Sequence, residues 1–408
     1  MTVPSTDAID ELGDVEPAAP NADAKRRLAR AILAARDEIL DLSHRIHANP
    51  ETAFEETKAS AWIADALRGH GFTVEHPVGS LATAVRATRP GGLGGERPRI
   101  AILAEYDALP GLGHGCGHNT MAASGLGAAI ALAALADELP GEIVFLGTPA
   151  EERGSGKQIM IDDGLFAGVD AALLFHPCDR SHVQSFPLAS EDVEVVFHGL
   201  QAHASADPWR GKNALDAMIL LFTSVGLWRQ QLRPDARVHG IIQEGGTAAN
   251  IIPERTKAWF MLRSADQAYY GEMAGRFRDL VDAAARATAT MADVTFSGGA
   301  KTMRPNPTLE GRWVENAAAY GIADQGPDPN SGSTDMANVS WVCPTIHPEL
   351  SIAPEGTPGH SIRFRAAAAT STADRTTVLA AILVAQTAWD LYADPDLLAA
   401  AWREFNAT

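Results

Sequence analysis

Cys116 and His118 stand two residues apart in GLGHGCGHNT, residues 111–120. A thiolate and an imidazole at that spacing reach one borderline-soft metal ion, and the flanking glycines let the backbone turn tightly around it. Cys-x-His alone is a weak signal. It gains weight from three further donors: the acid pair Glu151-Glu152 after one apolar run, His176 after another, and His360 in a Pro-Gly-His turn near the C-terminus. Cys, His, Glu, His and His, each ending its own apolar segment, suit a metal-dependent hydrolytic site.

The segments that must position these donors alternate. Helical spacing runs from Lys25 to Ala48 and from Glu55 to Arg68, followed by strand-like runs at Phe72–Glu75, Leu81–Arg86 and Ile100–Leu103. A helix over Asn119–Leu139, a strand over Ile143–Leu146, a helix after Gly156 and a strand over Ala171–Phe175 continue the series. Such alternation predicts an α/β fold with parallel strands, whose functional loops lie at strand C-terminal ends. Cys116, Glu151, Glu152 and His176 all fall there. From residue 191 the order becomes β-α-β-β-α-β: Asp192–His198, Asn213–Leu232, Val238–Gln243, Lys257–Arg263, Tyr269–Ala289 and Asp293–Ser297. This is a ferredoxin-like unit. It is inserted, because His360 and a further helix, Thr376–Leu391, follow it. The expected organisation is a disordered acidic tail over 1–24, a catalytic domain over 25–190 and 304–408, and the inserted domain over 191–303.

Composition narrows the class. With 33 basic against 51 acidic residues and a net charge of −18 over 408 residues, the chain lacks the basic footprint of a nucleic-acid binder. The apolar run from Met121 to Ala136 is 16 residues, short of the roughly 20 that span a bilayer, so no membrane partner is expected. The opening residues lack a basic start and an apolar stretch, so no secretory signal is expected. The three cysteines, Cys116, Cys178 and Cys343, suit a reducing, cytoplasmic setting.

Six ordered motifs resemble metallopeptidase family 20, subfamily D, the aminoacylase-like amidohydrolases that include aminobenzoyl-glutamate hydrolase. They are HRIHANPE at 44–51, EYDALPGLGHGCGHN at 105–119, PAEE at 149–152, FHP at 175–177, AHASADP at 202–208 and EGGTAANIIPE at 244–254, supported by STDMANVSW at 333–341 and TPGHS at 357–361. The resemblance covers nearly everything from residue 25 onward. It implies a di-metal catalytic domain, an inserted lid that also forms a homodimer, and hydrolysis of an amide bond. It implies Cys116, His118, Glu152, His176 and His360 as metal ligands, Glu151 as general base, and His203 as a lid histidine that stabilises the oxyanion across the dimer. Two adjacent glutamates cannot face one metal alike, and the choice of Glu152 as ligand rests on the family. The donor mixture favours zinc and also admits manganese, cobalt or nickel.

The chain departs from other branches of the family at Glu105-Tyr106-Asp107, where they carry His-x-Asp. Asp107 and Asp335 are expected to support ligands or pocket rather than to ligate. Asn119 stands where Asp is more usual and is expected to cap the following helix. Asn250 and Arg263 have the chemistry to hold an amide carbonyl and a substrate carboxylate. Cys178 and Cys343 are expected to pack, His44 and His47 to cap or pack, and His182, His198 and His239 have no supporting context. The expected substrate is a small amide with a free carboxylate: an N-acyl amino acid or a dipeptide, with N-carbamoyl amino acids and aminobenzoyl-glutamate as alternatives. A catalytically silent metal-binding protein of this fold is the contrasting reading.

Overall fold

The computed structural model describes residues 9–184, 186–327 and 332–407. These divide into two compact units. One takes the residues up to 184, 303–327 and 335–407; the other takes 186–302 and 332–334.

The first unit is built on a six-stranded sheet in the spatial order Thr73–Glu75, Val85–Pro90, Glu142–Thr148, Arg99–Glu105, Ala171–Leu173 and Thr345–Ile346. The last four run parallel, and the first two pair antiparallel. Arg99–Glu105 and Glu142–Thr148 are buried from their second residue onward, as strands covered on both faces must be, and their continuous apolar runs follow from that. The helix His118–Ala134 is buried over nearly its whole length. Its small residues permit this. A Cβ on Gly125 would lie 2.9 Å from the Leu103 carbonyl oxygen, and one on Gly127 would lie 2.7 Å from Ile39 Cδ1. The helix therefore packs between the sheet and its neighbours at backbone distance. Ser371–Ala393 is long and apolar enough to cross a membrane, but 94% of its apolar window is buried inside the unit.

Residues 9–24 are not the disordered tail expected of them. Ile9 and Leu12 are buried, Asp10–Gly13 forms a helical turn and Ala22–Ala34 is helical. Lys25, also buried, places its Nζ 2.8 Å from Asp390 Oδ2 and donates to Asn316 Oδ1 at 2.8 Å. Two apolar anchors and one paired cation override an acidic, Pro-rich composition. Residues 1–8 lie outside the described residues. The helical stretch from Lys25 also divides at Ala35, with a second helix over Arg36–Ala48.

The second unit is the predicted β-α-β-β-α-β unit. Its four strands lie in the order Met291–Ala300, Ala189–His198, Arg255–Ser264 and Arg237–Glu244, all antiparallel. Helices Ala214–Trp228 and Gln267–Ala287 supply Met218, Leu221, Phe277 and Val281 to a core with Val193, Val195, Phe197, Phe260 and Leu262. Asn213 and Asp266 cap the two helices, accepting from the amides of Leu215 and Tyr269.

Candidate metal centre

Three strand ends of the first unit bring the donors together. After Arg99–Glu105 the chain runs through Asp107 to Cys116 and turns at Gly117, whose φ of 84° puts it in the left-handed region. A Cβ there would meet Pro177 Cγ at 2.8 Å, so glycine is required on both counts. After Glu142–Thr148 comes Ala150, also left-handed at φ 60°, and then Glu151 and Glu152. After Ala171–Leu173 comes His176. His360 arrives from the C-terminal segment, its amide donating to the Gly115 carbonyl at 3.0 Å.

Donor atoms of Cys116, His118 and His176 lie within 4.8 Å of one another, as do those of Cys116, Glu152 and His360. Cys116 belongs to both groups. The two groups together contain the five expected ligand residues. Their other atoms are committed elsewhere. His118 Nδ1 donates to the Asp107 carboxylate at 3.0 Å, leaving Nε2 for a cation, and the Glu152 amide donates to the other Asp107 oxygen at 2.9 Å. His176 Nδ1 donates to the Pro177 carbonyl at 2.8 Å, and its Nε2 lies 3.5 Å from Cys116 Sγ. His360 Nε2 lies 3.3 Å from Glu152 Oε2. Asp107 thus orients one ligand ring and one ligand backbone with a single carboxylate.

The electrostatics ask for cations. Burial, then the charge of Glu152, pushes the Cys116 thiol well up. Burial, then Glu105 and Glu152, pushes Glu151 well up, and burial raises Glu152 to about 7. Burial lowers His176 and His360. The thiol and the two carboxyls are driven toward their neutral forms, which a nearby divalent ion reverses, while the two imidazoles are driven to the unprotonated form that binds a metal. Among the described residues, His118 Nε2 and Glu152 Oε1 are buried without a hydrogen bond. Sulfur, ring nitrogens and a carboxylate, buried and incompletely partnered, fit the binding of metal ions.

Some expectations change. Asn119 does not cap: the helix begins at His118 after Gly117, so Asn119 sits inside the first turn and its Nδ2 donates to Ser43 Oγ and the Ala368 carbonyl. Asp335 is buried and pairs with Lys157, Nζ to Oδ1 at 2.5 Å, while its Oδ2 accepts from the Lys157 amide at 2.9 Å. Lys157, itself buried, also lies 2.6 Å from Glu105 Oε1. Nothing in the sequence singles out Lys157, because a lysine in a short helix reads as a solvated residue. His347 is a second residue that sequence reasoning misses; it is buried beside His176 with ring centroids 5.2 Å apart, and its IHP tripeptide echoes FHP at 175–177. His44 and His47 do reach other segments, bonding Asp374 and the Arg365 carbonyl. Cys343 is buried and Cys178 half-buried.

The remaining candidates lie in the second unit. His203 is exposed on the two-residue strand Ala202–His203, paired with Ile251–Ile252. Its Nδ1 accepts from the amides of Ser205 and Ala206 at 3.3 Å, which leaves Nε2 as the protonated nitrogen. Asn250 is adjacent, its carbonyl accepting from the Ala204 amide at 3.0 Å. Arg263 is not with them. It lies near the far end of Arg255–Ser264, where its guanidinium contacts Met261 Sδ. Arg255 pairs with His198 and Arg263 with Ser190, so about 26 Å of extended strand, at about 3.3 Å per residue, separates Arg263 from the end that carries His203 and Asn250.

Residues 101–384 match the family model described as Peptidase family M20/M25/M40. The Xaa-Arg dipeptidase of Mus musculus is 36% identical over 94% of this chain and 92% of its own length. The chain belongs to peptidase family M20/M25/M40. One of the subunits of the p-aminobenzoyl-glutamate hydrolase of Escherichia coli is 29% identical over 90% of this chain and 92% of its own. A crystal structure described as a dinuclear metal binding peptidase from the M20 family of Bacillus subtilis superposes with a TM-score of 0.63 at 21% identity, covering 86% of this chain and 99% of that one. This M20 chain is a metal-dependent hydrolase of amide bonds.

Proposed function

We propose that the protein cleaves a dipeptide or small N-acyl amino acid whose amine portion carries a free carboxylate. The observation that carries this reading is the pair of donor groups sharing Cys116, with Glu151 alongside. Cys116, His118 and His176 would hold one divalent ion, and Cys116, Glu152 and His360 a second. The donor mixture favours zinc and admits manganese, cobalt or nickel. Bound ions of this kind lower the pKa of water and polarise a carbonyl.

Glu151 carries the proton between water and amine. Burial and acidic neighbours raise its proton affinity, and bound divalent ions would offset that and keep it ionised. As general base it takes a proton from the attacking water and returns it to the leaving amine. Asp107 keeps His118 Nδ1 protonated and Nε2 free. His203 donates from Nε2 to the developing oxyanion. Asn250 and Arg263 hold the substrate carbonyl and carboxylate. Their separation along one sheet supports a homodimer: one substrate meets both ends only if they come from two chains. Exposed apolar residues support pairing of the second unit with a second copy. Ile241 and Ile242 lie on the edge strand Arg237–Glu244, and Ile219 and Leu227 on the helix Ala214–Trp228. Three free cysteines support a reducing, cytoplasmic setting.

The relatives frame the substrate test. Metal-loaded protein is incubated with Xaa-Arg and other dipeptides, N-acetyl and N-carbamoyl amino acids, and p-aminobenzoyl-glutamate, with products read by mass spectrometry. Turnover of a dipeptide or N-acyl amino acid that is lost in Glu151→Gln supports the proposal. Turnover confined to p-aminobenzoyl-glutamate or N-carbamoyl substrates reassigns it, and metal binding without turnover leaves a silent binding protein.

A further inference from the structure

Glu105 ends the central strand of the first unit, fully buried, and has no part in the roles assigned above. Its two oxygens face different partners. Oε1 lies 2.6 Å from Lys157 Nζ, and Oε2 lies 3.2 Å from His118 Nε2. That ring nitrogen is the one left free once Nδ1 has bonded Asp107. Among the described residues neither Glu105 Oε2 nor His118 Nε2 makes a hydrogen bond. Donor atoms of Glu105, His118 and Glu151 also lie within 4.8 Å of one another.

Two donor atoms about 3 Å apart have the spacing of neighbouring ligands around one ion with bonds of about 2.0–2.2 Å. We propose that Glu105 Oε2 is a further ligand of the ion held by His118, with Lys157 as its positioning residue. This deepens the two-ion reading and rests on it. The geometry around Lys157 supplies the rigidity that a ligand needs. Asp335 grips the lysine twice, through Nζ at 2.5 Å and through its amide at 2.9 Å. Lys157 in turn occupies one oxygen of Glu105, so the carboxylate presents the other as a single donor. The buried ammonium also keeps Glu105 ionised where a lone carboxylate would give up its charge. The chain thereby places an oxygen donor where related branches carry the imidazole of His-x-Asp. Its centre is one carboxylate richer in consequence.

The test uses the metal-free full-length protein titrated with cobalt(II). Affinities are taken from chelator competition, and the ligand field from the visible d–d bands. The variants are Glu105→Gln, the double variant Glu105→Leu/Lys157→Met, which removes the ion pair as a unit, and Asp335→Asn. The wild type is expected to bind two ions. Glu105→Gln and the double variant should each weaken one of them by about tenfold or more and change its d–d band. Asp335→Asn, which loosens Lys157 but keeps the Glu105 oxygen, should shift the band and the affinity less than Glu105→Gln does. Wild-type bands and both affinities persisting in Glu105→Gln and in the double variant would overturn the assignment. So would Asp335→Asn matching the full effect of Glu105→Gln, because the network and not a metal bond would then be the cause. A wild type that binds fewer than two ions would overturn the two-ion reading beneath it.

Discussion

Replacing Glu56 with glutamine should flatten part of the pH dependence of stability. Glu56 is fully buried. Its Oε1 accepts from the amides of Phe54 at 3.0 Å and Ala150 at 2.9 Å, and its Oε2 accepts from Thr83 Oγ1 at 2.8 Å. Phe54 and Ala150 are both left-handed, with φ of 67° and 60°, so one carboxylate pins two unusual turns, the second directly before Glu151. Burial outweighs these bonds and raises the carboxyl from 4.5 to about 7. A raised acid keeps its proton in the folded chain after the unfolded chain has lost it. Its contribution to stability is therefore complete below about pH 4.5 and is lost as pH rises through about 7. At about 1.4 kcal/mol per pH unit, the loss reaches about 3 kcal/mol by pH 8, a large share of the roughly 5–15 kcal/mol that holds a domain together. Glutamine keeps an oxygen for Ala150 and cannot ionise. Amide exchange in the helix Thr57–Gly69, which reports opening of this unit, is measured for wild type and Glu56→Gln with chelator present, at pH 5 and pH 8. Between these conditions the variant should gain on the wild type by about 2.5 kcal/mol, since a little of the loss already falls below pH 5. A difference that stays the same at both pH values would refute the reasoning.

Glu151→Gln should retain fold and both ions but lose at least roughly 10²–10⁴-fold in kcat; near-normal turnover in steady-state assays is incompatible with a base at Glu151. Elemental analysis should find about two metals per chain in the wild type and fewer in Cys116→Ser and His360→Ala, with the larger loss in Cys116→Ser because Cys116 belongs to both donor groups. Mixing inactive Glu151→Gln and His203→Ala chains should recover activity, since one site of each hybrid regains both groups; verified exchange of chains without recovery would place His203 within its own chain's site or outside catalysis. The preferred substrate should lose kcat/KM when its carboxylate is amidated, and Arg263→Ala should erase that preference. Equal wild-type efficiency on acid and amide would remove the carboxylate from recognition.

The donor loops are legible in the sequence because each follows an apolar strand, and a parallel sheet gathers strand C-terminal ends at one edge. The second unit is legible for a related reason: alternating burial along Arg255–Ser264 and helix caps at Asn213 and Asp266 are local signals. What escapes depends on contacts between distant segments. Ile9 and Leu12 are single apolar residues in an acidic stretch, and only the fold shows what covers them. Lys157 looks like a surface cation until Glu105 and Asp335 are folded against it from far along the chain. Asn119 has the right chemistry for a cap, but the left-handed Gly117 takes the cap position two residues earlier. Arg263 is the most instructive case. Thirteen residues beyond Asn250, it invites a shared role in one pocket. An extended strand works against that, since it carries successive residues away at about 3.3 Å each, and Arg263 ends beside Ser190 while Asn250 stays near His203. If both groups grip one small substrate, strand geometry requires two copies of the chain. Exchange of chains between variants therefore probes a consequence of the backbone as well as the identity of a catalytic histidine.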